Sequence, residues 1–207
     1  MAKNKKNARI IRVSCGIGKS FEEACNAATK AKKLKGKKKY QIQIYKGRRL
    51  RSKLNQSIKD KVDSYLKLYK TLSKEQRELL ENFALRDSIT GMLNKIGFVL
   101  KMKRFKEGYY VLLDLDNVHY WNKKIGYAKV DEIIELIGKE ILSHIRHEEG
   151  SFHKKRMIDV IGHRLHESAG DEFLIFVPSK YSMKNLRTIK EIVKRIISSI
   201  YEKQKEA

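Results

Sequence analysis

The chain has 207 residues, of which 41% are hydrophobic, and a formal net charge of +23 at neutral pH. This length is enough for one domain with a substantial core, and the hydrophobic content is that of a globular rather than a disordered protein. No apolar run is long enough to cross a membrane and the basic N-terminus lacks the apolar body of a signal peptide, so we expect a cytoplasmic protein without a membrane partner.

The positive charge is concentrated at the start of the chain, where residues 1–53 carry 18 Lys and Arg against 2 Glu. A basic block of this kind is typical of a nucleic-acid surface or of a site for nucleotide phosphates. A solvated lysine-rich surface is the alternative, and the scarcity of aromatic residues in this block weakens the case for stacking on single strands. The two cysteines, Cys15 and Cys25, lie in apolar surroundings and are predicted to be buried thiols.

The N-terminal part predicts a strand–helix–strand unit. Residues 10–17 are rich in β-branched side chains and are broken by glycine, as expected of a strand. Ser20 can cap the helix that follows, with Glu22 and Glu23 in the first turn, where the helix dipole favours acids. Alternation over residues 40–45 predicts a half-buried second strand.

The rest of the chain predicts mostly helices with three further strands. Apolar spacing predicts a helix between residues 54 and 69, and Ser73 to Gln76 matches a capping box that opens the next one. The further predicted elements are a helix over 94–104, a buried strand over 109–115, a long helix over 130–145, a strand over 157–166 paired with one over 172–177, and a last helix over 186–200. The predicted fold is α/β, a mixed sheet with helices on its faces.

Two acidic segments adjoin apolar strands. The strand over 109–115 carries Asp114 near its end, and the acidic turn with Asp171 and Glu172 leads into the other strand. A fold uses this arrangement to bring two acids together at a sheet edge, which suits Mg²⁺, a cation usually held by one or two carboxylates plus substrate phosphates. Most acidic turns are merely solvated. The sequence around both acids therefore decides between a magnesium site and a solvated turn.

That sequence resembles the GGDEF family, the diguanylate cyclases. The resemblance rests on motifs at consistent spacing over residues 87–178. The first is DSITGMLNKIGF at 87–98, which is similar to the family's D-x-L-T-G-L-x-N-R-R-x-F, and the second is DLDNV at 114–118, which is similar to its D-x-D-x-F. Asn122, Gly126 and Asp131 then follow at the spacings of N-D-x-x-G-H-x-x-G-D. The last is AGDEF at 169–173, which is similar to the GGDEF signature with Ala169 in place of its first Gly.

The N-terminal unit looks like the end of such a domain. Residues 13–17 and 27–38 resemble the family's S-I-G and A-D-x-A-L-Y-x-A-K-x-x-G-R-N, which follow the signature in the family but precede it here. The resemblance therefore implies a circular permutation, with residues 1–46 as the displaced C-terminal unit, 47–86 as a helical linker and 87–207 as the remainder of one composite domain. A coincidental strand–helix–strand unit is the alternative.

The chemistry implied by the resemblance is nucleotidyl transfer, in which two GTP condense to cyclic di-GMP and release pyrophosphate. The family joins two half-sites, so a transient homodimer is implied as well. Asp114, Asp171 and the carbonyl of Leu115 match the family's ligands for Mg²⁺ or Mn²⁺. Glu172 matches the acid that assists activation of the hydroxyl or binds a second metal ion.

The resemblance also implies a set of substrate contacts. Asn122 and Asp131 match the residues that read the guanine edge. Phosphate-binding cations of the family align with Lys32 and Lys37, whereas His119 stands where a phosphate-contacting Lys is usual. The remaining predicted substrate contact is Gly170, the second glycine of the signature.

Several residues depart from the family pattern. Glu167 stands where an Arg is common, and Arg156 to Asp159 have the R-x-x-D form of the family's product-inhibition site but lie too far upstream. Two other functions therefore stay open: a related palm-domain synthase that makes another cyclic or linear oligonucleotide, and a non-catalytic module that binds nucleotides or nucleic acid. Retention of the three acids argues against the module, and the guanine-reading pair favours the cyclase over the other synthase.

Overall fold

A computed structural model describes residues 11–34, 40–44, 56–102, 105, 107–145, 160–163, 170–178 and 186–206. Within these ranges the strands form one mixed sheet in the order β2-β1-β3-β5-β4. The strands are β1 (Val13–Gly18), β2 (Tyr40–Ile44), β3 (Gly108–Leu115), β4 (Val160–His163) and β5 (Glu172–Pro178). The pair β1 and β2 is parallel, and the pairs β1 with β3, β3 with β5 and β5 with β4 are antiparallel.

Helices cover both faces of this sheet, which confirms the predicted fold class. They are α1 (Phe21–Lys33), α2 (Gln56–Thr71), α3 (Lys74–Ala84), α4 (Lys95–Met102), α5 (Val118–Ile125), α6 (Tyr127–His144) and α7 (Leu186–Glu206). Ser20 caps α1 and Ser73 opens α3 with the predicted capping box. None of these helices combines the length and the apolar character needed to cross a bilayer.

Side-chain alternation along the central strands divides the core into two layers. Val111, Leu113 and Leu115 of β3 pack in the larger cluster, together with the apolar faces of α6 and α7. Leu112 points to the opposite face and packs with α1 and α4. Because successive side chains of a strand alternate between faces, Asp114 lies on the same face as Leu112, beneath α1.

The first described strand and the last helix are held together by hydrogen bonds. The backbone N–H of Ile11 donates to Gln204 Oε1 at 2.8 Å, and that of Val13 donates to the Tyr201 hydroxyl at 3.0 Å. The strand β1 therefore lies inside the sheet, between β2 and β3, and beside the end of α7. The circular permutation compares the order of segments along this chain with their order in the family. The position of β1 in the sheet does not test that comparison, so the permutation stays a prediction.

Some element boundaries differ from the sequence-based ones. The segment from Val118 to Ile125 is helix α5, which the sequence analysis did not predict. β4 covers only 160–163 of the predicted strand over 157–166, and residues 151–159 and 164–169 lie outside the described part of the chain. The predicted linker contains α2, whose Val62 is buried against Leu85 and Leu100, whereas Leu79 and Phe83 of α3 are exposed.

Candidate active site

Three polar residues form a row across adjacent strands on the sheet face beneath α1. Asp114 of β3 is directly opposite Ser14 of β1 on one side and Glu172 of β5 on the other. Two carboxylates in directly opposite positions of an antiparallel pair repel each other and destabilise the sheet. A structural role gives no reason to keep this repulsion, which is typical of a site that acts on a cation.

Asp171 adds a third carboxylate at the same end of the sheet. It immediately precedes β5, and its backbone carbonyl accepts a hydrogen bond from the Leu115 N–H at 2.9 Å. This backbone bond fixes the acidic turn against the end of β3. The predicted set of Asp114, Leu115, Asp171 and Glu172 is therefore brought together by neighbouring strand ends, although the residues are far apart in sequence.

The Lys32 ammonium provides the positive charge for this cluster. Its Nζ lies 2.6 Å from Oδ2 of Asp114, so the residue predicted to bind phosphate is an ion-pair partner of the central acid. Asp114 is 6% exposed, and burial, together with the charges of Asp171 and Glu172, raises its pKa to about 7 although Lys32 acts in the opposite direction.

The second oxygen of Asp114 has no hydrogen-bond partner among the described residues, although it is fully buried. A buried carboxylate oxygen without a partner is costly, so such an atom indicates a missing ligand. Within the described ranges, no group of three or more His, Cys, Asp or Glu side chains is placed so that it could hold a metal ion. The donor set instead fits Mg²⁺ or Mn²⁺, which are held by few carboxylates and take further ligands from substrate phosphates and water.

Two further residues contribute to the electrostatics of the cluster. Asp116, the first residue of the turn after β3, is held at the row by the Ser14 hydroxyl, which lies 2.9 and 3.1 Å from its two carboxylate oxygens. Cys25 of α1 is half-buried, and burial, followed by the charges of Glu172 and Asp114, raises its pKa to about 12. The Cys25 thiol is therefore neutral at physiological pH, and of the two cysteines predicted to be buried, Cys15 is buried and Cys25 only partly so.

The predicted substrate contacts lie on two consecutive helices and in the acidic turn. Asn122 is half-buried on α5, Asp131 is half-buried near the start of α6, and His119 is exposed on α5. Helix α5 follows β3 after Asp116 and Asn117, α6 follows α5, and the apolar sides of both helices pack in the larger core cluster, so the contribution of these residues to the site stays a prediction. Gly170 is half-buried beside Asp171. Lys37, Ala169 and Glu167 fall outside the described residues.

A buried polar pair supports the site and was not foreseen from the sequence. His163 of β4, which is 0% exposed, donates from Nδ1 to Oδ1 of Asp87 at 3.0 Å. The same oxygen accepts from the N–H groups of Ile89 and Thr90, so it also closes the turn of the first motif. The pair thus attaches the motif at 87–98 to the strand next to β5.

We expect Asp87→Asn to lower the free energy of unfolding by about 2 kcal/mol, because hydrogen bonds to a charged acceptor are replaced by neutral ones. The pair with His163 holds the pKa of Asp87 well below its ordinary value, although burial acts in the other direction. The stability that the ionised Asp87 contributes to the fold is therefore complete above the unfolded-state pKa of about 4 and is lost as the pH falls below it.

Urea unfolding of wild type and Asp87→Asn at several pH values measures this effect. The difference between them should be constant near neutral pH and should shrink on acidification below about pH 4. Glu78→Gln, at an exposed acid of α3, is the control and should leave stability unchanged. An equal loss at every pH would show that the charge of Asp87 does not matter.

Comparisons with known proteins give a weak structural likeness to a diguanylate cyclase. No protein-family model matches the chain, and no curated protein sequence matches it. Among solved structures, the chain is similar to the diguanylate cyclase SiaD from Pseudomonas aeruginosa, which was solved in complex with its activator SiaC. The identity is 21% and the TM-score 0.43, and the match covers 68% of this chain and 50% of the SiaD chain, so it spans half the length of that enzyme.

Proposed function

We propose that the protein is a metal-dependent nucleotidyltransferase that condenses two GTP into cyclic di-GMP and releases pyrophosphate. The observation that carries this proposal is the row formed by Asp114 and Glu172, with Asp171 beside it and a buried Asp114 oxygen without a partner among the described residues. The sequence motifs at the same positions resemble those of diguanylate cyclases. Together they favour phosphoryl chemistry over a purely structural acidic cluster.

The residues of the site have distinct roles in this proposal. Asp114 and Asp171 would hold Mg²⁺ or Mn²⁺ with the Leu115 carbonyl, and Glu172 would accept the proton of the attacking 3′-hydroxyl. When bound, the divalent ion supplies charge stabilisation for the α-phosphate and the leaving pyrophosphate. Lys32 is within reach of the same position and would exchange its partner Asp114 for a phosphate oxygen. Asn122 and Asp131 would hold the guanine, and His119 and Gly170 would lie along the phosphates.

Product analysis tests the proposed reaction. The protein is incubated with each nucleoside triphosphate separately and with Mg²⁺ or Mn²⁺, and the products are identified by mass. Cyclic di-GMP from GTP alone supports the proposal. A linear product, or a cyclic product of another nucleotide, would point to the related synthase, and the absence of any product with any triphosphate would favour a binding module.

We expect Lys32→Met to tighten binding of Mn²⁺ in the absence of nucleotide. The ammonium lies 2.6 Å from Asp114, so it neutralises the carboxylate and repels a second cation. Lys32 is partly exposed to solvent, which screens the effect, so the expected gain is about tenfold. Because Lys32 lowers the pKa of Asp114, its removal raises that pKa, so the affinities of wild type and variant are compared over a series of pH values above neutral.

Isothermal titration of Mn²⁺ into the apoprotein gives the affinity directly and does not require turnover. The control is Lys30→Met, which removes the same charge from an exposed position of the same helix. It should change the affinity far less than Lys32→Met. Equal or weaker binding by Lys32→Met would contradict competition between the lysine and the metal ion.

We expect Asp131→Ser to relax the preference for GTP over ATP while the carboxylate cluster stays intact. The serine removes a carboxylate that accepts from the guanine ring N–H and exocyclic amine, a pair of donors that adenine does not offer. Loss of such a partner costs about 1–3 kcal/mol, or roughly a tenfold to hundredfold change in discrimination. The measurement is the ratio of kcat/KM for GTP and ATP, with Glu135→Ser of α6 as the control. An unchanged ratio would mean that another residue reads the base.

A further inference from the structure

The corner where α5 meets α6, residues 119–129, exposes two aromatic rings that are seven residues apart in sequence. Six large hydrophobic side chains are exposed in the described part of the chain, and two of them, Tyr120 at 54% and Tyr127 at 70%, belong to this corner. Exposed large apolar groups that share one surface mark binding sites more often than isolated ones do. The α5–α6 corner is therefore a candidate for a ligand with flat apolar faces.

The Tyr120 ring is held in place before any ligand arrives. Trp121 meets it edge-on, with the ring centroids 5.5 Å apart and the planes at 78°, and Trp121 itself packs against the main core. On the other side, Lys124 Nζ donates to the Tyr120 hydroxyl at 3.2 Å and lies 5.7 Å from the ring centre. Binding to a ring that is already ordered costs little conformational entropy.

The charge of the corner is positive. Residues 118–130 include Lys123, Lys124 and Lys129 and contain no acid. Of the acids that follow on α6, Asp131 is half-buried and Glu132 is ion-paired with Lys129 at 2.6 Å. Lys123 and Lys124 are exposed and have no acidic partner among the described residues, so they leave a local positive surplus beside the aromatic rings.

We propose that the α5–α6 corner binds single-stranded nucleic acid, with bases stacked on Tyr120 and Tyr127 and phosphates contacted by Lys123 and Lys124. Exposed aromatic rings interleaved with cations are the usual elements of single-strand recognition, because every base offers a flat face and every nucleotide a phosphate. The net charge of +23 attracts a polyanion from a distance. An acidic protein would pair with the lysines but would offer no flat groups to stack on the two tyrosine rings.

This surface is separate from the basic N-terminal block that the sequence analysis considered. That block has few aromatic residues, whereas the corner combines both kinds of side chain. Helix α5 begins at Val118, directly after the turn that contains Asp116, and it also carries His119 and Asn122, which the proposed function assigns to GTP. The inference does not depend on nucleotidyl transfer, since binding is measured without metal ion or triphosphate.

Titration of the full chain with a short oligouridylate tests the proposal. Trp121 is the single tryptophan of the chain and touches Tyr120, so stacking at the corner should quench its fluorescence. Fluorescence anisotropy of a labelled copy of the same oligonucleotide gives the affinity. We expect the Tyr120→Ala and Tyr127→Ala substitutions each to weaken binding by about tenfold, which corresponds to the loss of one stacked base. Tyr120→Phe keeps the ring and should bind like wild type.

Controls at other surfaces separate stacking from net charge. Phe83→Ala removes the exposed ring of α3, and a double substitution of Lys67 and Lys70 by Ser removes two exposed charges of α2. The proposal requires both controls to bind within about twofold of wild type, while Lys123 and Lys124 substituted together by Ser weaken binding severalfold at moderate salt. Thermal melts verify that every variant is folded.

Four results would overturn the proposal. One is unchanged affinity after loss of both tyrosines. Another is an equal loss of affinity for the two lysine pairs, which would mean that only the overall charge attracts the strand. The third is an unchanged Trp121 signal at saturating oligonucleotide, which would place the strand elsewhere on the protein. Displacement of the oligonucleotide by polyglutamate at the same charge concentration would likewise identify an unspecific acidic partner and count against nucleic acid.

Discussion

Replacing Asp171 with asparagine is expected to abolish nucleotide turnover and to leave the fold intact. The asparagine has the same size as the aspartate but carries no charge, so the site loses one of the carboxylates that surround Lys32 and Asp114. We expect a loss of about a thousandfold or more in kcat, because a preorganised charge at a reacting phosphate is among the largest single contributions to catalysis.

Because Asp171 contacts the fold through its backbone, loss of turnover in Asp171→Asn would report on the site and not on unfolding. Its contact with β3 is made by the backbone carbonyl, which accepts from Leu115, and asparagine retains this bond. The thermal unfolding midpoint should therefore stay close to that of wild type. Glu107→Gln removes one negative charge just before the other end of β3 and should retain full turnover. Wild-type turnover by Asp171→Asn would mean that nucleotidyl transfer does not occur at this cluster.

The parts of the site that follow from strand pattern were predictable. The alternation of β3 and β5 fixes which side chains share a face, and the register places Asp114 opposite Glu172. Asp114 stands at the end of the apolar strand β3, and Glu172 at the start of β5. Once the two strands are assumed to be neighbours, the sequence alone predicts that these acids meet at one edge of the sheet. The capping box of α3, the Ser20 cap of α1 and the apolar stripes of α6 and α7 were local signals of the same kind.

The parts that depend on contacts between distant residues were not predictable. His163 carries no sequence sign of its pairing with Asp87, since a histidine in a short strand is equally suited to solvent or to a core. Lys32 stands among many lysines, and only the packing of α1 on the sheet selects it as the partner of Asp114. Helix α5 was missed because Asn117 and Gly126, both at positive φ, bracket a helix too short for a clear period.

The second prediction concerns the place of the N-terminal unit, residues 1–46, along the chain. A rearranged chain that runs from residue 47 to 207 and continues with residues 1 to 46 should fold to the same structure. The bonds from Gln204 and Tyr201 to the start of β1 place the end of α7 where the new junction is needed. The residues before Ile11 supply the length of a connection, and the new ends would open between β2 and α2, so no described strand or helix is cut.

The fragment 47–207, which lacks this unit, should not fold. It would lose β1, the neighbour of β3 in the sheet, with the buried side chains of Val13, Cys15 and Ile17. Each such apolar side chain contributes about 1.5–3 kcal/mol on burial, so their sum is comparable to the 5–15 kcal/mol that stabilise a typical domain. The fragment would also lose α1, which packs so closely on β1 that a Cβ at Gly16 would lie 2.0 Å from the Ala24 carbonyl oxygen.

Circular dichroism and urea unfolding distinguish these outcomes. We expect a cooperative transition for the rearranged chain, with a midpoint near that of wild type, and none for the fragment. A peptide of residues 1–46 added to the fragment should restore the transition, because β1 would regain its hydrogen bonds to β3 and α1 its place over Asp114. A fragment that melts cooperatively without the peptide would show that the N-terminal unit is an appendage. A rearranged chain that stays unfolded would mean that the order of this sequence cannot be exchanged for the order of the family it resembles.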